Sequence, residues 1–166
     1  MRWLVDGYNV IRREPGLAAR EQESLQAGRD ALCRLLAEAS KASRDQFTVV
    51  FDGQRGGGTA FSSGGVRVLY SKAPESADHM LARLAMSGTA VVSNDVEVRR
   101  SAARAGAIVI TADEFLARLL VSPGLEEEED EPVARTKKGN PRRPPKKARA
   151  AARALRRLDR PTKKFP

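Results

Sequence analysis

The chain has 166 residues, room for one ordinary domain and an appendage, and a 41% hydrophobic content that supports a real core. Its net charge of +9 is uneven: residues 1–125 carry 16 Lys/Arg against 14 Asp/Glu, residues 126–131 read EEEEDE, and residues 132–166 carry 14 Lys/Arg and one acid. No run approaches the about 18 apolar residues of a membrane span and no secretory leader is visible, so a soluble cytoplasmic protein with no membrane partner is expected, with a polyanion, most often nucleic acid, met by a basic arm.

Residues 2–5 are short and apolar and predict a strand, with Gly7 marking a turn behind it. Residues 22–42 predict a helix, because Leu25, Leu32, Leu35, Leu36 and Ala39 share one face at 3.6-residue spacing. Cys33 falls in that helix and is expected as a small core residue; as the one cysteine it excludes an internal disulfide. Residues 47–51 (FTVVF) predict a strand buried on both faces. Gly53 to Gly65 is rich in Gly and Ser and predicts a flexible loop near the substrate path, flanked by Arg55 and Arg67. Strands at 66–70, 89–92 and 107–110 follow, with helices at 76–86 (N-cap Ser76), near 96–105 and at 112–120 (Thr111 and Glu114 as a capping box). Trp3 and Phe51 are expected in the core.

Strand–helix alternation of this kind predicts an α/β domain with a mostly parallel five-stranded sheet over residues 1–122. Beyond Pro123 the pattern stops, and residues 123–166 predict an acidic-then-basic, mostly disordered tail. Within it, residues 146–158 (KKARAAARALRRL) have helix propensity but almost no apolar stripe, which predicts a helix formed mainly on binding. On that reading the domain tolerates truncation after Leu125. Lys137, Lys138, Arg142, Arg143, Lys146 and Lys147 then become candidate RNA contacts, and the run 126–131 either masks the basic arm or spaces it.

Acids recur where strands end. Asp6 follows RWLV, Asp52 follows TVVF, Glu75 and Asp78 follow VRVLY, and Asp95 follows AVVSN. In an open α/β sheet, ligands bind beyond the carboxyl ends of the strands, where strand order reverses. If the first strand is central, Asp6, Asp52 and Asp95 emerge at that edge, and Asp78 joins from a helix's first turn. Converging carboxylates repel one another unless a cation neutralises them. Mg²⁺ or Mn²⁺ fits, because hard cations take oxygen ligands, and the matching chemistry is metal-assisted attack of water on a phosphodiester. Asn9, three residues after Asp6, is placed to orient a carboxylate or a phosphate. Asp113 reads as a helix-cap acid, and His79 has no second His or Cys partner for a metal.

Two nucleotide-binding motifs are absent. DGYNVI carries one Gly where a dinucleotide fingerprint needs G-x-G-x-x-G, and no P-loop or G-x-S-x-G nucleophile elbow occurs. The string VDGYNVI at 5–11, with VVFDG at 49–53, PESAD at 74–78 and VVSND at 91–95, resembles the NYN domains of the PIN-like nuclease superfamily, in the YacP-like branch. The resemblance covers about residues 1–120. It implies a PIN-like three-layer fold with strand order 3-2-1-4-5 and a metal-dependent cut in single-stranded RNA, in a ribosome-associated or RNA-cleaving endoribonuclease. Matched by position, it implies Asp6, Asp78 and Asp95 as the central acidic set, with Asn9 beside them and Asp52 and Glu75 as flanking metal acids. Ser76 stands where the branch tends to have Thr, and Ser93-Asn94-Asp95 where it tends to have T-S-D. The leading reading is thus a Mg²⁺- or Mn²⁺-dependent endoribonuclease with RNA, and the ribosome, as partners. A non-catalytic RNA- or ribosome-binding module of the same fold is the alternative, and a DNA-directed nuclease is disfavoured by the lack of a helical arch.

Overall fold

The computed structural model describes residues 1–53, 58–120 and 145–158, with the backbone alone at 58–63. The elements are β1 (Arg2–Asp6), α1 (Gly7–Ile11), α2 (Pro15–Glu23), α3 (Leu25–Ser43), β2 (Gln46–Phe51), β3 (Gly58–Ser63), β4 (Val66–Tyr70), α4 (Ala77–Leu84), β5 (Thr89–Val92), α5 (Val96–Arg104), β6 (Ile108–Ile110), α6 (Ala112–Leu119) and α7 (Lys146–Leu155). They build one sheet in the order β3-β4-β2-β1-β5-β6. Five of its strands are parallel, and their order β4-β2-β1-β5-β6 is the expected 3-2-1-4-5.

β3 corrects the sequence reading of 53–65 as a loop. It runs antiparallel to β4 at the sheet edge. A parallel strand needs its predecessor's chain carried back to the starting edge, normally by a helix. Here β3 makes that return, and Gly64 and Gly65, both at positive φ, turn it into β4.

Alternating strand residues fill two cores, which makes three layers. Trp3, Val5, Phe47, Val49 and Phe51 face one side with Val10 and Ile11 of α1, Leu32 and Leu36 of α3 and Phe115 of α6. Leu4, Val50 and Val91 face the other, with Met80 and Leu81 of α4 and Val98 and Ala102 of α5. The predicted helix 22–42 is two helices: Ser24 has extended backbone, ends α2 and caps α3 by accepting from the Ala27 amide at 3.0 Å. Gly7, expected in a turn, opens α1 instead, and a Cβ there would drive into the Phe51 ring.

The C-terminal helix is a second correction. α7 docks on the domain beside β6, with Ala154 1% and Leu155 9% exposed in the first core. Ala151, Ala154, Leu155 and Leu158 pack there at i, i+3, i+4 and i+7, an apolar stripe that the sequence reading passed over because half of it is alanine. Arg157, just past α7, donates to the Asp45 carboxylate at 2.8 Å. A truncation after Leu125 therefore removes core residues. The acidic run 126–131 and the candidate RNA contacts Lys137, Lys138, Arg142 and Arg143 lie outside the described residues. No helix among the described residues is long and apolar enough to cross a membrane.

Candidate active site

β1 is central, with β2 on one side and β5 on the other, so strand order reverses at its carboxyl end. A cleft of about 680 Å³ opens there, lined by Asp6, Tyr8, Asn9, Arg12, Arg13, Asp52, Gly53, Ser76, Asp78, Asn94 and Asp95 among others. The acids arrive by three local devices. Asp6 ends β1 and caps α1, its Oδ1 accepting from the Asn9 amide at 3.2 Å. Asp95 caps α5, accepting from the Glu97 and Val98 amides at 2.7 and 3.0 Å. Asp78 stands in the first turn of α4, behind the Ser76 cap.

Neutral groups brace this edge. The fully buried Ser93 hydroxyl donates to Asp6 Oδ2 at 2.9 Å and accepts from the Asp95 amide at 3.0 Å. Asn9 Oδ1 accepts from the Asn94 amide at 3.1 Å. Asn94 Oδ1 accepts from the Ala112 amide at 2.8 Å, while its Nδ2 donates to Asp113 at 2.6 Å. Asp52 accepts from the Ser71 hydroxyl at 2.6 Å.

The electrostatics record the crowding. Burial pushes the Asp6 carboxyl above its ordinary value, the Asp78 and Asp95 charges push it further, and the bonds from Ser93 and Asn9 oppose the rise. Asp78 is raised by burial and by Asp95 and Asp52, with His79 opposing. Among the described residues no three His, Cys, Asp or Glu side chains stand close enough to enclose a metal ion outright.

Other candidates stand elsewhere. Glu75 does not line the cleft: it pairs with Arg83 at 2.8 Å, and that bond holds its carboxyl below the usual range. Arg67 sits near the start of β4, toward the opposite edge of the sheet, and Arg55 lies outside the described residues. Lys146 and Lys147 are on the first turn of α7, away from the cleft lining. His79 is exposed, its Nδ1 3.1 Å from the Ser76 hydroxyl. Burial pushes the Cys33 thiol up to about 11, which fits a packing role.

Sequence reasoning missed a cation behind the cleft. Arg29 is 5% exposed and lies over the rings of Tyr8, Phe51 and Tyr70 at 5.5, 5.5 and 5.1 Å. Its guanidinium donates to the Tyr8 hydroxyl, holding that ring in the cleft wall. Arg12 stacks over the same ring at 5.4 Å. The arginine falls on the expected apolar stripe itself, four residues after Leu25 and three before Leu32, so helical spacing was the signal that could have flagged its burial.

A parallel sheet in this order, with acids gathered at the switch point, defines a nuclease-like α/β domain. The chain matches the family described as the YacP-like NYN domain over residues 3–162, and it belongs to that family. The match runs on through α7. An uncharacterised protein YacP of Bacillus subtilis (strain 168) is 33% identical over 86 residues, 51% of this chain, and the match spans about half (51%) of that relative's length. Among solved structures, a mutant of Rae1 (YacP) from Bacillus subtilis superposes with a TM-score of 0.61 at 28% identity, over 71% of this chain and 74% of that one. A second crystal structure of Rae1 (YacP) gives a TM-score of 0.55 at 25% identity, over 72% and 73%.

Proposed function

We propose that this chain is a metal-dependent endoribonuclease that hydrolyses phosphodiester bonds of single-stranded RNA in the cytoplasm, with mRNA on the ribosome as its setting. The observation that carries the reading is the gathering of Asp6, Asp52, Asp78 and Asp95 in one cleft, where burial first and neighbouring carboxylates second raise Asp6 and Asp78. The donor set is all oxygen, which fits Mg²⁺ or Mn²⁺. Such ions commonly take one or two carboxylates and keep several waters, so a closed cage of three side chains is not required. One or two of Asp6, Asp78 and Asp95 would hold the ion directly, and the remaining acids, Asp52 among them, would meet it through its waters. When bound, it would polarise the phosphodiester and favour ionisation of the attacking water.

The chain's own groups do the rest. Arg12 and Arg13 on the cleft wall offer guanidinium forks to phosphate oxygens. Tyr8, fixed by Arg29, offers a ring for a base or ribose to pack on. Ser93 and Asn9 hold Asp6 in one orientation, so no reorganisation is needed when substrate arrives.

The test is incubation of the purified protein with labelled single-stranded RNA and Mg²⁺ or Mn²⁺, with and without ribosomes. Cleavage that disappears with chelator and in Asp95→Asn supports the reading. RNA binding without cleavage under every condition would assign the chain to a binding module of the same fold.

A further inference from the structure

α7 does not lie flat on its neighbours. A groove of about 550 Å³ runs between α5, β6 and the first turns of α7. Ala103, Ala107, Ile108 and Ala151 give it an apolar floor, and Arg99, Arg100, Lys146 and Lys147 stand around it. Arg104 continues the cationic patch beside Arg100 and Lys147.

Three features mark the groove as built for an anion. The Arg99 Nε is buried with no hydrogen-bond partner, a donor left without an acceptor. Lys146 and Lys147 open a helix whose first turn has no acid and whose N-cap, Pro145, makes no side-chain bond. Lysines at the positive end of a helix oppose its dipole, and these two also face three arginines. The cations outnumber the acids: Glu97, paired with Arg100 at 3.0 Å, and Glu114, on the groove lining, are two carboxylates against Arg99, Arg100, Arg104, Lys146 and Lys147, a local excess of three positive charges.

Position identifies the occupant. The groove begins at Val96, the residue after Asp95 of the acidic cleft, and follows α5 away from it. Arg100 and Arg104 recur about one helical turn apart, ~5.4 Å along the axis, a repeat that successive phosphates can follow. We propose that this groove is a second RNA site, in which Arg99, Arg100, Arg104, Lys146 and Lys147 hold the phosphate chain of a strand leaving the acidic cleft. The proposal rests on the RNA reading of the cleft for the strand's path. The groove also fixes two lysines of a segment whose sequence suggested a mobile arm.

The experiment measures binding of a labelled single-stranded RNA oligonucleotide to the full chain in chelator, so that cleavage plays no part. The variants are Arg99→Gln/Arg100→Gln/Arg104→Gln and, because Arg99 is half-buried, the exposed pair Lys146→Gln/Lys147→Gln. Arg34→Gln/Lys41→Gln on α3 is the control matched in charge to the lysine pair. Each phosphate that the protein no longer neutralises flattens the log–log salt slope by roughly 0.7, so two such phosphates flatten it by about 1.4. That change in the groove variants, absent in the α3 control, supports the site, as does RNA-induced protection of 96–106 and 146–151 from hydrogen exchange. A salt slope equal to wild type in the lysine pair overturns it. Groove variants that no longer bind a poly-glutamate peptide but bind RNA as before also overturn it, in favour of an acidic protein segment. If no condition gives cleavage but the slope difference persists, the nuclease reading fails and the RNA groove stands.

Discussion

Replacing Arg157 by Met should destabilise the protein by about 1–2 kcal/mol at neutral pH. Arg157 reaches from beyond α7 to Asp45, whose side chain has no exposure. Asp45 also accepts from the Met1 ammonium at 2.6 Å and from Trp3 Nε1 at 3.0 Å. Leaving a buried charge wholly unpaired costs about 3–5 kcal/mol. Here two of three donors stay, and Arg157 is itself 43% exposed, so water screens the pair and the smaller figure applies. For a chain of this size that shifts Tm by roughly 2–8 °C. The pH dependence gives a second check. Burial raises the Asp45 carboxyl, but bonds from Arg157, the N-terminus and Trp3 outweigh it and hold the group below its ordinary 3.8. A depressed carboxyl stabilises the fold above the unfolded value, and that contribution is lost as pH falls through the folded one. The gap between wild type and Arg157→Met should therefore be full at neutral pH and close as pH drops below 3.8. Urea denaturation across that range measures it. An unchanged midpoint at neutral pH, or a gap that persists undiminished in acid, would refute the reasoning.

Asp6→Asn and Asp95→Asn should each abolish RNA cleavage; near-wild-type cutting in saturating Mg²⁺ would sink the site assignment. Because Asp6 is raised, its ionised form opposes folding at neutral pH, so in chelator Asp6→Asn should melt no lower than wild type. Gly7→Ala should cost about 1–3 kcal/mol by overpacking against Phe51, read as a lower urea midpoint. Arg29→Met should release Tyr8 and raise KM for RNA more than it lowers kcat; an unaltered KM would mean that Tyr8 does not touch substrate.

The parallel sheet and most of the cleft were legible because both depend on local pattern. Runs such as FTVVF specify buried strands, and an acid directly after such a run emerges at the carboxyl edge whatever the rest of the chain does. Asp6, Asp52 and Asp95 needed only a central β1 to meet, and Asp78 needed only its helix cap. What failed was long-range. The Gly/Ser composition of 58–63 gave no strand signal, because edge pairing with β4 is a backbone contact that side chains do not specify. α7 does carry a stripe, Ala151, Ala154, Leu155 and Leu158, but half of it is alanine, and its seat also uses a buried carboxylate 112 residues from Arg157 in sequence. Glu75 had the right spacing but the wrong neighbour, since Arg83 reaches it from the last turn of α4.

The partners of the acids separate those that build the fold from those that form the cleft. Asp45, Glu75 and Asp113 each meet a cation, from Arg157, Arg83 and Arg13 in turn, and their charge is spent inside the protein. The cleft acids are held differently. Asp6 is fixed by a hydroxyl and an amide, Asp52 by the Ser71 hydroxyl, and Asp95 by two helix amides. Such donors orient a carboxylate without cancelling it. Among the described residues no Lys or Arg forms an ion pair with any of these three, although Arg12 and Arg13 line the same cleft. A fold selected for stability alone gains by pairing or removing like charges that crowd one another. Keeping them oriented, adjacent and unneutralised is the arrangement that a divalent cation resolves, and Ser93, bonded to both Asp6 and Asp95, is the group whose removal should loosen it most.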